Sequence, residues 1–213
     1  MILEEKFNAK LLVEGHNDQH VAWAICRQHH IAETFDVIDC KSISNLKQMF
    51  SVYLKQGTNT AVGIIIDADQ NLDARWASIS GILIDSGYMV PTTLPNSGLI
   101  LPAHTIFPVV GIWIMPDNTS IGMLEDFITN LIPDTDPLKA YVNVALNTLE
   151  QTGHHRYNVI HRSKAYVHTF LSWQEDPGTP MGQAITKHYL DHNAAQCINF
   201  IDWLNALFNP NVA

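Results

Sequence analysis

The segment Ala61 to Ile66 is apolar on both alternating faces and stops at Asp67-Ala68-Asp69. A strand apolar on both sides must be covered on both sides, the setting of a central parallel strand between helical layers. Ala9 to Val13 repeats the pattern upstream, a short apolar strand ending at Glu14-Gly15. Between the two, the spacing predicts a helix from about Gln19 to His30, with Asn17 or Asp18 as its cap. A strand at Phe35 to Ile38 follows, and then a helix from Ser42 or Ser44 to about Gln56. Leu72 to Asp85 is a further helix, stopped near Gly87. Strand and helix alternate, the pattern of a doubly wound α/β sheet with right-handed crossovers between parallel neighbours.

Beyond Gly87 the texture changes. Pro91, Pro95, Pro102, Pro108 and Pro116 punctuate short apolar runs. Leu99 to Leu101 and Val109 to Met115 read as strands, in a hairpin or an edge extension. Helices are expected at Gly122 to Leu131, Pro137 to Leu149, Ala165 to Leu171, Met181 to Leu190 and Ala194 to Phe208, with Pro137 in a first-turn position. The organisation expected is an α/β domain with a strand extension over residues 1–132 and a helical C-terminal region, residues 133–213, packed on it. Gln174 to Pro180 reads as a mobile surface loop. Trp173, Phe200, Trp203 and Leu204 read as packing residues.

Composition narrows the function classes. Apolar residues make up 46% and charged residues 15%, enough for a sizeable core. A net charge of −9 argues against salt-driven nucleic-acid binding over the whole surface. It leaves room for a local patch, and His154, His155, Arg156, His161, Arg162 and Lys164 form the one basic stretch, able to meet phosphates or to be a solvated face. Cys26, Cys40 and Cys197 are far apart and form no CxxC, which fits a reduced, cytoplasmic chain. Met1 to Lys10 is charged and lacks a signal-peptide core. No apolar run reaches the ~20 residues of a membrane helix.

The chemistry lies where the strands end. In a parallel sheet the carboxyl ends of strands face the ligand crevice. If extended, Asp67 and Asp69 point to one side, and Glu14 joins them if the first and third strands are neighbours. Clustered carboxylates raise one another's pKa, a conflict that a divalent cation removes. Oxygen ligands favour a hard ion, Mg²⁺ or Mn²⁺. Two such ions ~3.5–4 Å apart could clamp the oxygens of an in-line phosphoryl transfer. Bland readings stand beside each residue: Asp18 alone is a helix cap, and a lone DxD opens a solvated loop. Glu125 and Asp126 fit equally a further pair of acidic ligands or favourable charge at a helix N-terminus. Asp117 fits a turn. His188 and His192 have an i, i+4 zinc spacing with no supporting pattern, so an ordinary polar helix face is the reading kept.

Glu14-Gly15 with Asp18, followed by Asp67-x-Asp69, resembles the Toprim domain of topoisomerases, bacterial primases, recombination proteins and the overcoming-lysogenization-defect nucleases. The likeness covers about residues 9–90. The whole chain resembles an uncharacterised, stand-alone bacterial Toprim-like family, with GIWIMPDN from Gly111 and GMLED from Gly122 as further signatures. The resemblance implies a Toprim-type sheet, Glu14 as metal ligand or general acid/base, Asp67 and Asp69 as metal ligands, and Asp18 at a second metal position. Many Toprim members extend DxD to DxDxD; here the last position is Asn71. Ser163-Lys164 resembles a Ser and Lys of some Toprim nucleases, where the Lys could stabilise developing negative charge; a solvated Lys is the plain alternative. The function implied is Mg²⁺-dependent hydrolysis of nucleic-acid phosphodiesters. The alternatives are phosphoryl or nucleotidyl transfer or hydrolysis on a small nucleotide, or a non-catalytic metal-binding subunit of a larger, defence-type assembly. The absence of GxxxxGK[ST] supports the last of these, with an ATPase as the expected partner subunit, since related nucleases often carry such a motor on the same chain.

Overall fold

The structure is a computed structural model that describes residues 5–103 and 106–210. Of the charged segment Met1 to Lys10, the first four residues lie outside the described ones. In chain order the elements are β1 (Ala9–Val13), α1 (His16–Gln28), β2 (Asp36–Asp39), α2 (Ile43–Tyr53), β3 (Ala61–Asp67), α3 (Leu72–Asp85), β4 (Leu99–Leu101) and β5 (Val109–Met115). Helices α4 (Leu124–Asn130), α5 (Leu138–Gln151), α6 (Arg162–Ser172), α7 (Met181–Thr186) and α8 (Ala195–Phe208) follow, with a 3-10 turn at Val159–His161.

The five strands form one sheet in the order β2-β1-β3-β5-β4, parallel except for the edge strand β4, which runs antiparallel to β5. The expected α/β architecture, a mostly parallel sheet flanked by helices with a helical C-terminal part, is the one observed. The chain steps outward from β1 to β2 and then back past β1 to β3. That reversal opens a crevice beyond the carboxyl ends of β1 and β3.

Alternation of apolar side chains builds two cores. On one face α2 and α3 cover Leu12, Val62, Ile64, Ile66, Ile112 and Ile114. On the other, α1 and α4 to α8 cover Leu11, Val13, Ile65, Trp113 and Met115. Gly63 and Gly111 pair in register on this second face and form a trough for α8. A Cβ on Gly63 would stand 2.7 Å from Leu207 Cδ2, and one on Gly111 3.0 Å from Trp203 Cζ2. Bare glycine backbone lets α8 approach the sheet this closely. Phe200, Trp203, Leu204 and Leu207 are buried there, each worth about 1.5–3 kcal/mol relative to exposure.

Several local expectations change. α1 begins at His16 with Gly15 as its N-cap; Asp18 stands in the first turn, where Oδ2 accepts from the Gly15 N–H at 3.1 Å. Ser42, not Ser44, caps α2, accepting from the Asn45 N–H at 3.2 Å. α7 stops at Thr186, and His188 has φ +58°, so His188 and His192 share no helix face. Trp173 follows the last turn of α6 and is 43% exposed, whereas Phe200, Trp203 and Leu204 are core as expected. Among the described residues, no helix is long and apolar enough to cross a membrane.

Candidate functional site

β1 and β3 are neighbours with Val13 opposite Ile65, so Glu14 and Asp67 leave the sheet side by side. Because α1 starts just after Gly15, its first turn carries Asp18 over the same rim. α4 enters from the far side: the Leu124 N–H donates to Asp67 Oδ1 at 2.9 Å, which brings the next residue, Glu125, alongside. Glu125 is buried, with 4% of its surface exposed.

These carboxylates press on one another. Burial above all, then the charges of Glu14 and Glu125, pushes Asp18 up to about 7 from an ordinary 3.8. Burial, followed by Asp18, Glu14, Glu125 and Asp69, holds Asp67 well above the usual carboxylate range. Glu14 is raised, again chiefly by burial and further by Asp69, against opposition from Arg75, the Asp67 amide and Lys47. Glu14 Oε2 and Asp18 Oδ1 are buried with no hydrogen-bond partner. Leaving such an acceptor unmatched costs about 1–3 kcal/mol, more if it is charged. Among the described residues, no group of three His, Cys, Asp or Glu side chains stands ready to hold a metal ion. The donor set itself, all oxygen and partly unpartnered, fits a hard divalent cation.

The remaining sequence-derived residues divide. Asp69 does not continue the strand: its φ is +52°, it pairs through its backbone with Gly122 at 2.8 Å in both directions, and its side chain, 53% exposed, pairs with Arg75. It therefore does not share a side with Asp67 by strand alternation. Asn71 caps α3, accepting from the Ala74 N–H at 2.9 Å. Asp126 engages both oxygens, one with the Met123 N–H at 2.8 Å and the other with the Ser163 hydroxyl. Lys164 reaches the acids through Glu125, with Nζ 3.3 Å from Oε1. In the basic stretch, Arg162 is held by Glu150 at 2.9 Å and Asn147 at 2.8 Å. Asp117 makes the expected turn, accepting from the Thr119 and Ser120 amides at 2.9 and 2.7 Å.

Sequence reasoning missed Arg75 and Lys47, the two cations whose charge acts on Glu14. The available signal for Arg75 was a lone Arg in the first turns of the helix that follows Asp67-Ala68-Asp69. Both cations line a groove of about 1040 Å³ beside the acids, together with Asn71, Met123, Ile160 and His161. All three cysteines are free thiols, and burial raises each to about 12.

A family model described as "Protein of unknown function (DUF3226)" matches residues 8–209. No curated protein and no solved structure matches the chain.

Proposed function

The chain belongs to the DUF3226 family, and we propose that this member is a Toprim-like, divalent-metal-dependent enzyme that hydrolyses nucleic-acid phosphodiesters. One observation supports the reading: Glu14 Oε2 and Asp18 Oδ1 are buried and unpartnered at the carboxyl end of β1, within reach of the charges of Asp67 and Glu125. Glu14, Asp18 and Asp67 would hold Mg²⁺ or Mn²⁺, with Glu125 beside them. A cation bound there supplies positive charge against a phosphoryl group and lowers the pKa of water. The chain's own residues do the rest. Arg75 and Lys47, on the groove wall, draw the phosphate toward the rim. Lys164, tethered to Glu125, stands to stabilise negative charge on a leaving oxygen. Glu14, raised by burial, is the carboxylate placed to accept a proton.

The test is incubation of purified protein with single- and double-stranded DNA and RNA in Mg²⁺ and in Mn²⁺. Cleavage that Asp67→Ala abolishes is expected; intact polymers under every condition would overturn the reading.

The net charge of −9 and the bounded groove favour a second reading, transfer or hydrolysis on a small nucleotide. Turnover of a nucleotide panel with polymers left intact selects it. Co-purification with an ATPase subunit would place the chain in a larger assembly.

A further inference from the structure

α1 carries a second pattern on the side away from the core. His16, His20, Trp23, Arg27 and, just past the helix end, His30 recur in steps of four and three, and all are exposed. Such steps keep side chains on one helical face. The rings touch in sequence: His16 and His20 lie 4.2 Å apart at 63°, and His20 and Trp23 5.3 Å apart at 69°. The row begins next to Gly15, at the rim of the acidic site. It ends at a second cavity of about 590 Å³ lined by Trp23, Arg27, His30 and Phe35.

The composition of this face is unusual for the chain. The exposed residues of α1 are His16, Asn17, His20, Trp23 and Arg27, with no carboxylate among them, although the whole chain carries −9. A solvated helix face ordinarily mixes Glu and Lys. Outside the acidic site itself, Asp39 lies 3.9 Å from His16 and is paired with Lys41, and Glu33 lines the second cavity.

We propose that this face of α1 is a track for single-stranded nucleic acid, its bases stacking on His20 and Trp23 and its phosphates meeting Arg27. The strand end is thereby delivered to the acids beyond His16. A duplex hides its base faces, so an aromatic row selects a single strand, and base–aromatic stacking tolerates any sequence. The destination rests on the phosphodiester reading; the binding does not.

The test uses the full chain carrying Asp67→Asn, in EDTA and low salt, with fluorescein-labelled dT and rU 12-mers and a duplex of equal length. Binding is read by anisotropy, with Trp23 emission as a second signal. The single strands bind more tightly than the duplex. Trp23→Ala weakens binding roughly 5- to 100-fold, the loss of one stacked base, while Trp23→Phe retains most of it. Arg27→Ala weakens it and flattens its salt dependence. Circular dichroism confirms that each variant is folded. Equal affinity of Trp23→Ala and parent, preference for duplex, or no binding by folded protein overturns the track. A dimer that Trp23→Ala dissociates would make the face a self-interface and also overturns it. With Asp67 restored and metal added, single-strand binding without cleavage sinks the hydrolysis reading and leaves the track standing; cleavage indifferent to Trp23→Ala does the reverse.

Discussion

Asp18→Asn tests whether the buried acids work against the fold when no cation is present. Asn keeps an oxygen that can accept from the Gly15 N–H, as Oδ2 does at 3.1 Å, and removes the charge. Asp18 is raised from 3.8 to about 7, so the fold disfavours its ionised form. The cost is absent below the unfolded value, accumulates as pH rises and is complete above about 7, where it amounts to about 4 kcal/mol. Between pH 5 and pH 8 the cost grows by about 2–3 kcal/mol. Wild-type protein in EDTA should therefore lose that much stability relative to Asp18→Asn across this window. Urea denaturation followed by circular dichroism at unit pH steps measures it. In Mn²⁺ at pH 8 the order should reverse, because a cation bound to the native state stabilises it by mass action and the variant lacks one of its charges. A stability difference that stays flat from pH 5 to pH 8 would refute the argument from carboxylate crowding.

Other expectations follow from single contacts. Asp67→Asn should abolish the rise in melting temperature that Mn²⁺ gives the parent, read by calorimetry at pH 8; an unchanged rise would place the cation elsewhere. Gly182→Ala should destabilise by about 1–3 kcal/mol, since its Cβ would fall 2.7 Å from the His20 carbonyl oxygen and backbone cannot step aside; equal urea midpoints would contradict the close approach of α7 to α1. Gly111→Ala and Leu207→Ala should each destabilise, the second by about 2–5 kcal/mol, yet together cost less than their sum, because the added methyl points at Leu207. Strict additivity in that cycle would mean that α8 does not seat in the glycine trough.

What the sequence makes legible is what is encoded locally. β4, β5 and α3 have the bounds their patterns imply, because alternation, an Asn cap and a following Gly lie within a few residues of one another. Glu14 and Asp67 were legible as a pair because apolar strands point to their own carboxyl ends. Asp69 was not: its turn depends on Gly122, remote in sequence. α7 also ends early for a reason the residues conceal. Tyr189 N–H bonds the Ala184 carbonyl at 3.0 Å and His188 N–H the Ile185 carbonyl at 3.1 Å, a Schellman closure in which His188 holds the left-handed place that Gly or Asn usually fills. Arg75 escaped notice because the acid its charge acts on, Glu14, follows β1, far from α3 in sequence. Trp173 misled because a Trp followed by a polar loop still reads as core.

Gly63 and Gly111 leave the centre of the sheet without side chains until Leu207 arrives. During translation all five strands have been polymerised once Met115 is made, whereas the helix that fills the trough follows on the order of ten seconds later. A nascent chain in that interval displays Trp113 and a bare strip of strand backbone to solvent. Docking of α8 covers that strip, so a chain cut short before Trp203 should leave it open and aggregate.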